Sequence, residues 1–300
     1  MFAGAGLATA TVLGFLGRLF WVFDLFSHFR VQFFQAFLVL IGISIWRKNN
    51  RQLVCWILLA CLNYAFVLPF YFGKPPAAAG KPVRAMLMNL NASNGNTEQV
   101  QSAIRIADPD LLLLVEVTLK WAQELSVLNT SYPYRVEQPQ SDCFGIMLLS
   151  KYPLSRTNVL FVGSAGVPSI TADVHLPQGE ISLIGTHPLP PFNGSFSKHR
   201  NNQLAALPKL IREQKKLVLL IGDLNVSPWS AHFVRLLKES GLKNSMDHFG
   251  FQPSWPSNNR FLRIPIDHVL HSPDILIHHR VVGSDVGSDH LPMMVDFSLK

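Results

Sequence analysis

The stretch KLVLLIGDLNVSP, residues 216–228, decides the fold because an apolar run breaks directly into polar residues. Leu217 to Ile221 has the length of a strand and is bounded by turn residues, which indicates a buried core strand. Gly222, Asp223 and Asn225 follow it. Asp and Asn are ordinary turn residues, so an Asx-turn that ends the strand is one interpretation. The other is that the strand delivers a carboxylate and an amide to the edge of a sheet.

The same mixture of apolar runs and turn residues continues through the last 220 residues. Strands are predicted over 83–90, 111–115, 144–149, 170–175, 181–186, 217–221, 266–270 and 293–297. Helices are predicted from 97, over 196–214 and over 229–239. Strands outnumber helices, and several neighbouring strands look hairpin-linked. This pattern favours a layered α/β fold with mixed or antiparallel sheets.

Five more polar clusters stand at the ends or starts of predicted strands. They are Asn89–Asn91, Glu116, Thr186–His187, Asp267–His268 and Ser288–His290. One acid or histidine at a strand end is usually a solvated cap, but so many in one domain require another explanation. Carboxylate and amide oxygens suit a hard cation such as Mg²⁺ or Mn²⁺, and histidines beside carboxylates supply general acids or bases. Together they predict metal-assisted hydrolysis of a phosphate ester.

The order of these motifs resembles the endonuclease/exonuclease/phosphatase superfamily. Asn-x-Asn, Glu, His, Gly-Asp-x-Asn, Ile-Asp-His-Val and Ser-Asp-His follow one another between Val83 and Phe297. The resemblance implies the DNase I-like α/β fold, a four-layer sandwich of two central mixed β-sheets flanked by helices. Members include DNase I, abasic-site endonucleases, inositol polyphosphate phosphatases and bacterial sphingomyelinases. Hydrophobic segments before such a domain look like a membrane-tethered bacterial branch.

The resemblance implies two sets of site residues. The implied ligands of Mg²⁺ or Mn²⁺ are Glu116, Asn91 and Asp289. The implied catalytic residues are Asp223, Asn225, His187, His290, Asp267 and Asn89. Among these, Asn225 and Asn89 resemble hydrogen-bonding groups for the phosphate or the transition state. Asn91 departs from the many members that have Asp in the first motif, and one negative charge near the metal is lost.

The other four residues resemble the groups that carry out hydrolysis. Asp223 resembles the residue that positions or deprotonates the attacking water. His290 resembles the histidine that contacts the phosphate, and Asp267 the carboxylate that orients it. His187 resembles a second histidine that protonates the leaving oxygen. Several family nucleases have a tyrosine where this chain has Ser-Asp-Cys-Phe over 141–144, so His187 is the expected acid and Asp142 its expected partner.

Three further groups of residues remain ambiguous. Lys198 and Arg200 either contact a phosphate or form the polar face of a helix, and we favour the helix face. Trp255 lies in a Pro-Ser-Trp-Pro corner that either edges a substrate groove or packs in the interior. His278 and His279 resemble a metal pair, but neighbours in a strand point to opposite faces, so we expect exposed surface.

The N-terminal quarter of the chain accounts for a composition that is 48% hydrophobic and a mean hydropathy of +0.22. Three apolar runs cover Phe2–Phe23, Val31–Trp46 and Leu53–Phe72. The first and third have about the length that crosses a bilayer, and three in succession favour transmembrane helices over core helices or a signal peptide. We therefore predict a membrane anchor with about three helices over residues 1–73, a Pro-rich linker over 74–82 and a catalytic domain over 83–300.

Charge predicts where this domain lies and weakens one substrate class. The basic cluster Arg47–Arg51 is expected in the cytoplasm. The predicted location is the inner (cytoplasmic) membrane, multi-pass, with the catalytic domain on the periplasmic side. Residues 1–80 contain six Lys or Arg and one Asp, so most of the net charge of +7 flanks the anchor. The remainder of the chain shows little excess charge for binding a polyanion.

The sequence thus predicts a membrane-anchored, divalent-metal-dependent hydrolase of phosphodiester bonds, with nucleic acid as one candidate substrate. Two alternatives stay open. One is a phospholipid-headgroup or small-molecule phosphoesterase, and the other is a non-catalytic membrane scaffold with the same fold. The expected partners are the phosphoester substrate and the lipid bilayer, and no protein partner is predicted.

Overall fold

The computed structural model describes residues 2–78 and 80–300. The helices are α1 Phe2–Leu13, α2 Trp21–Ser27, α3 Arg30–Trp46, α4 Asn50–Ala65, α5 Thr97–Ala107, α6 Leu119–Glu124, α7 Gly194–Glu213 and α8 Ala231–Ser240. The strands are β1 Val83–Asn89, β2 Leu111–Val115, β3 Tyr134–Gln138, β4 Ile146–Ser150, β5 Leu154–Phe161, β6 Pro168–Leu176, β7 Gly179–Thr186, β8 Leu217–Asp223, β9 Lys243–Asn244, β10 Asp267–His271, β11 Ile275–Val282 and β12 Met293–Leu299.

These strands form two six-stranded mixed sheets. The first has the order β11-β12-β1-β2-β4-β3, and the second has the order β5-β6-β7-β8-β10-β9. In each sheet one pair is parallel, β1 with β2 and β7 with β8, while the other neighbours are antiparallel. The two parallel pairs stand in the middle of their sheets. Their carboxyl ends therefore lie where a site can be shared between the sheets.

Successive side chains of the central strands point to opposite faces, and this produces four layers. In β2, Leu111 and Leu113 belong to the core between the two sheets, whereas Leu112 and Leu114 pack under α5 and α6. In the same way β8 buries one side chain set between the sheets and the other under α7 and α8. Because both faces are buried, these strands appear in the sequence as continuous apolar runs. The predicted sandwich of two mixed sheets flanked by helices is confirmed.

The strands that the sequence did not reveal are edge strands. β3, β5, β9 and β11 each stand at the outer edge of a sheet. β5 has exposed or half-buried side chains along its length, and β11 is irregular between Ile277 and His279. Edge strands are buried on fewer sides, so their sequences carry weaker alternation than the central runs.

The first predicted membrane segment is bent. α1 ends at Leu13 and α2 begins at Trp21, and the two parts meet at 111°. Gly17 lies inside this bend, where a Cβ would stand 2.9 Å from the Cα of Asp24. Within residues 2–78 and 80–300, no single helix is both long enough and apolar enough to span a membrane. The bent pair of α1 and α2 meets both criteria only when its two parts are counted together. The expected three single transmembrane helices are therefore not borne out.

α3 and α4 form an antiparallel pair, here called the α3–α4 hairpin. Phe37 stacks on Trp56 with ring centroids 5.9 Å apart, and the Asn49 side chain accepts a hydrogen bond from the N–H of Gln52 at the start of α4. Both ends of the hairpin contact the sandwich: Gln32 donates to the carbonyl of Arg263, and Trp229 donates to that of Phe66, each at 2.9 Å. The boundaries at 73 and 83 stay a prediction, but the helices before them pack on the sandwich.

Candidate active site

The strand ends bring the predicted motif residues to one edge shared by both sheets. Asn89 closes β1 in the first sheet, and its Nδ2 donates to Glu116 Oε1 at 3.0 Å. The same nitrogen donates to Asp223 Oδ2 at 3.1 Å, and Asp223 closes β8 in the second sheet. One amide therefore joins the two sheets at the point where the polar clusters meet.

Asp223 lies between two histidines. Its Oδ2 is 3.4 Å from His187 Nε2 and 3.6 Å from His290 Nε2. On its other side, His290 Nδ1 donates to Asp267 Oδ2 at 2.8 Å. All four side chains are buried. The predicted catalytic acids and histidines thus form one connected group, and Asp267 orients His290 as expected.

This arrangement fixes the charge of the central pair. Burial disfavours the imidazolium of His290, but the carboxylates of Asp267 and Asp223 overcome that effect and raise the pKa of His290 to about 10. Burial would also raise the pKa of Asp223, but the two neighbouring histidines lower it to about 2. At neutral pH His290 is therefore a cation and Asp223 an anion.

Asp223 also favours the protonated form of His187. Burial lowers its pKa, but the hydrogen bond and the charge of Asp223 outweigh burial, and the pKa of His187 is raised. Its Nε2 lies 3.3 Å from Asn225 Nδ2. The expectation that Asp142 orients His187 is wrong, because Asp142 is exposed and accepts the N–H of Phe144 at 2.9 Å. Asp223 takes that place instead.

Both interpretations of the stretch 216–228 hold at once. Asp223 Oδ1 accepts the N–H of Asn225 at 3.0 Å, which is the Asx-turn that ends the strand, while Oδ2 faces the histidines. Gly222 precedes this turn because a Cβ there would overlap the carbonyl oxygen of Thr186. One carboxylate therefore closes its own strand with one oxygen and serves the site with the other.

Three site residues adopt left-handed backbone conformations. The φ angles are 56° at Asn91, 59° at Glu116 and 51° at Asn225. L residues rarely adopt this region, and such strain concentrates at functional sites. Hydrogen bonds hold it in place, for example from the N–H of Asn91 to Asn89 Oδ1 at 2.9 Å. The turns aim these side chains into the edge instead of continuing the strands.

The predicted metal ligands stand next to the catalytic group. Asn91 Nδ2 donates to Asp289 Oδ1 at 2.8 Å, and Glu116 Oε2 accepts the N–H of Ala92 at 2.9 Å. Trp255 Nε1 donates to Asp289 Oδ2 at 3.0 Å. In the part of the chain that the structure describes, neither carboxylate pairs with Lys or Arg, unlike Asp24 or Asp173. These two carboxylates are ligands of the kind that Mg²⁺ or Mn²⁺ prefers, whereas Asn91 Oδ1 accepts the N–H and the hydroxyl of Ser93.

A second group of metal-ligand types is better assigned to proton and charge control. One ligand atom each of Asp223, Asp267 and His290 lies within 4.8 Å of the others. Both ring nitrogens of His290 face carboxylates, and its raised pKa keeps both protonated. A histidine must be neutral to bind a metal ion. The metal set therefore stays the predicted Glu116, Asn91 and Asp289.

The structure shows what several of the ambiguous residues contact. Trp255 borders the site, as one of its two interpretations has it. His278 and His279 do not form a metal pair, since His278 Nε2 contacts Ser298 Oγ at 2.8 Å and His279 Nδ1 lies 3.8 Å from Asp296. Arg200 fits neither alternative, because it is buried and bound to a residue of α2.

Sequence reasoning missed the part of the site that comes from the N-terminal helices. Asp24 pairs with Arg200 at 2.5 Å, and His28 Nδ1 lies 2.8 Å from Ser227 Oγ, two residues beyond Asn225. The first contact joins α2 to α7, and the second joins the C-terminal end of α2 to the segment after β8. The available signal was Asp24, the single acidic residue among the first 80.

Comparison with known proteins agrees with this architecture. Residues 86–290 match the model of the Endonuclease/Exonuclease/phosphatase family. A curated relative, a "UPF0294 protein" of Vibrio campbellii, is 31% identical over 99 residues, and the match covers a third of this chain and a third of that protein.

Solved structures share the fold at low identity. The chain is 18% identical to D. rerio TDP2 complexed with a single-strand DNA product, with a TM-score of 0.62 over 73% of this chain and all of that one. It is 17% identical to the human Nocturnin catalytic domain with bound sulfate, with a TM-score of 0.62 over 73% and 95% of the two chains. The chain is 16% identical to Sphingomyelinase C from Streptomyces griseocarneus, with a TM-score of 0.56 over 72% of this chain and 99% of that one. These likenesses concern the fold.

Proposed function

The chain belongs to the Endonuclease/Exonuclease/phosphatase family, and on that premise we propose that it is a divalent-metal-dependent phosphoesterase. The observation that carries the proposal is Asp223, a buried carboxylate between two buried histidines. Beside it stand Glu116 and Asp289, two carboxylates with no basic partner in the described part of the chain. Anionic and cationic groups around one phosphate-sized position are what hydrolysis of a phosphate ester requires.

We assign the attack on phosphorus to a water molecule that Asp223 orients. With a pKa of about 2, this carboxylate is a weak base, so it accepts a hydrogen bond from the water more readily than it takes its proton. His290, held as a cation, offers its charge to the phosphate oxygens. When bound at Glu116, Asn91 and Asp289, Mg²⁺ or Mn²⁺ would add further charge neutralisation at the phosphate.

The leaving oxygen receives its proton from His187. The raised pKa of this histidine favours its protonated form, which is the state that a general acid needs. Asn225 Nδ2 lies 3.3 Å from His187 Nε2, so this amide stands where a phosphate oxygen can accept a hydrogen bond. Asn89 Nδ2 already donates to Glu116 and Asp223, so Asn89 positions these two carboxylates instead. In this scheme the water oxygen becomes bonded to phosphorus, the ester P–O bond breaks, and the leaving oxygen takes the proton of His187. The proton of the attacking water passes to the phosphate product, and solvent returns a proton to His187.

We also propose that the α3–α4 hairpin attaches the enzyme to the inner membrane. Large apolar side chains lie exposed along it, with Val39 at 63%, Leu58 at 64% and Trp46 at 79% exposure. Such contiguous apolar surface is typical of a membrane or protein contact. Both ends of the hairpin meet the sandwich, whereas the basic tip Arg47–Arg51 is the far end. A cytoplasmic tip would place the sandwich on the periplasmic side.

A reporter fused after Lys300 tests this orientation. The proposal expects activity of a reporter that works only in the periplasm. A cytoplasmic signal from the same fusion would contradict it.

The first test of the phosphoesterase uses the full-length chain, because the N-terminal helices contact the site. Plasmid DNA and headgroup-labelled phospholipid vesicles are supplied in parallel, with and without Mg²⁺. We expect metal-dependent hydrolysis of at least one of them, and its loss in Asp223→Ala. Equal hydrolysis by the variant would contradict the site assignment. Binding of either substrate without turnover would favour the scaffold, although every motif residue that catalysis needs is present.

A further inference from the structure

A cavity of about 620 Å³ opens beside the catalytic group. This volume is far larger than a phosphate and falls within the range of sites that enclose whole organic ligands. Asp223, His187 and His290 lie in its lining. The other walls are largely apolar, and they include Trp21, Leu25, Phe29, Phe144, Phe192 and Ile266. The polar centre therefore continues into an apolar chamber.

One wall of this chamber comes from the N-terminal helices. Trp21 and Leu25 belong to α2, and Phe29 follows four residues later, just before α3. Helical residues four apart lie on the same face, so Trp21 and Leu25 present one apolar surface that Phe29 extends. These three residues are called the α2 wall below.

Buried polar contacts fix the α2 wall to the catalytic loop. Asp24, between Trp21 and Leu25, pairs with Arg200 Nη2 at 2.5 Å and accepts the Ser230 hydroxyl at 2.6 Å. Arg200 Nη1 in turn donates to the carbonyl of Asn225 at 3.0 Å. Because Asp24 and Arg200 are both fully buried, this link is rigid and shielded from water. The α2 wall is therefore held in a fixed position as part of the site.

His28 adds a polar group to the same wall. It is 4% exposed and lines the cavity, and its Nδ1 accepts the N–H of Ser227 at 3.2 Å. The proton of a neutral ring then resides on Nε2. That nitrogen has no hydrogen-bond partner within residues 2–78 and 80–300. A buried donor without an acceptor points to an oxygen of a bound ligand.

The charge of the cavity argues against a nucleic-acid strand. None of the described residues that line it is Lys or Arg. Proteins that bind DNA or RNA strands neutralise several phosphates with such residues. The lining instead provides one compact polar centre, formed by Asp223, His187 and His290, for one phosphate group. A single phosphoester attached to an apolar body matches this distribution.

The rim of the cavity is apolar as well. Phe192 lines the cavity and is 76% exposed, and Phe20, beside Trp21, is 49% exposed. Trp21 approaches the loop that carries Phe192, since a Cβ on Gly194 would stand 3.2 Å from Trp21 Nε1. Exposed aromatic residues at an entrance suit a ligand that arrives from an apolar phase.

We propose that the substrate is an amphiphile, a phosphoester that carries a long apolar chain, and that the chain lies against the α2 wall while the phosphate meets Asp223 and His290. This inference rests on the proposed phosphoesterase activity and names its substrate class. The His28 Nε2–H donates to an oxygen of the polar head. Water cleaves the ester as described above, so no other reactant is required.

The test uses the full-length chain in phosphatidylcholine nanodiscs with Mg²⁺. The probes are p-nitrophenyl phosphodiesters whose second ester is methyl or octyl, and kcat/KM is measured for each. We expect the octyl ester to exceed the methyl ester by at least about tenfold, because several CH₂ groups become buried. Leu25→Ser should abolish most of this preference. Val22→Ser is the matched control, an aliphatic residue of the same helix that does not line the cavity, and should retain it.

The outcomes separate the two proposals. Equal kcat/KM for both esters, or the same loss of preference in both variants, would overturn the amphiphile and leave the phosphoesterase intact. No turnover of either ester would contradict the phosphoesterase itself. A binding readout is independent of turnover: octyl phosphate should bind at least about tenfold more tightly than methyl phosphate, and Leu25→Ser should remove the difference.

Two natural sources share this chemistry. Phosphatidylglycerol vesicles represent a glycerolipid, and micelles of farnesyl diphosphate represent an isoprenoid. Hydrolysis of one of them supports the inference and identifies the source. Turnover of plasmid DNA with neither lipid cleaved would overturn it.

Discussion

The two halves of the cavity differ in origin and in chemistry. The polar half comes from the ends of β1, β2, β7 and β8, the start of β10 and the segment before β12, which together supply its carboxylates and histidines. The apolar half comes largely from the α2 wall, almost 200 residues before Asp223 in the chain. In the proposed activity, the polar half would determine which bond is broken, and the apolar half would determine which molecule reaches it.

The largest effect is expected from removing the centre of the polar half. Asp223→Ala loses the group that orients water and raises the pKa of both histidines, so kcat should fall by roughly 10²–10⁴-fold. Turnover of the methyl ester measures this. Asp274→Ala, an exposed acid paired with Lys300, is the control and should be unchanged. Near-normal turnover in Asp223→Ala would break the assignment of chemistry to this half.

The link between the halves can be broken at Asp24. Asp24→Ala leaves the buried guanidinium of Arg200 without its partner, which should lower the free energy of unfolding by about 3–5 kcal/mol. Urea unfolding of the full-length chain measures the change. The double variant Asp24→Ala/Arg200→Leu removes the unpaired charge and should recover part of it. A loss below about 1 kcal/mol in the single variant would show that the helices are not tied to the site as described.

The proposed metal ligands of the polar half can be tested by replacing one carboxylate oxygen of Glu116 with an amide nitrogen. Glu116→Gln keeps the shape of the side chain but removes its charge, so the Mg²⁺ concentration at half-maximal activity should rise by about tenfold or more. A matched change in the other group, Asp267→Asn, should lower kcat without a comparable shift. An unchanged titration in Glu116→Gln would remove Glu116 from the metal site.

The smallest effect concerns pH. His187 acts in its protonated form, and its pKa is raised in the folded chain, so activity is present below that pKa and declines as the pH rises through it. The alkaline limb of kcat should therefore lie above 6.5, the ordinary value for histidine. The limb should vanish in His187→Gln. A limb that persists unchanged in this variant would assign it to another group.

The sequence predicts the polar half well because its signals are local. Each central strand is a continuous apolar run, and each ends in a motif whose order matches the family. Asp223 and Asn225 could be assigned before their neighbours in space were known. The edge strands were missed because partial burial weakens the alternation along β3, β5 and β11.

The apolar half could not be predicted for a different reason. Trp21, Leu25 and Phe29 look the same whether they face lipid, a core or a ligand, since apolarity alone does not name the partner. Arg200 appeared to belong to a solvated helix face, and only the bend after α1 places Asp24 beside it. Contacts across 176 positions leave no periodic signal in the chain.

The central claim, that strand ends and the α2 wall form one metal-dependent site, can be tested with the six tryptophans of the chain. The full-length protein is labelled with 5-fluorotryptophan, and ¹⁹F spectra are recorded as Mn²⁺ is added. Trp255, which binds Asp289, and Trp21 in the α2 wall should broaden first. Trp46 ends α3, about 25 Å along the helix from Arg30 at its start, so its signal should stay sharp. Broadening of Trp255 without Trp21 would contradict the shared site, and uniform behaviour of all tryptophans would contradict the metal centre.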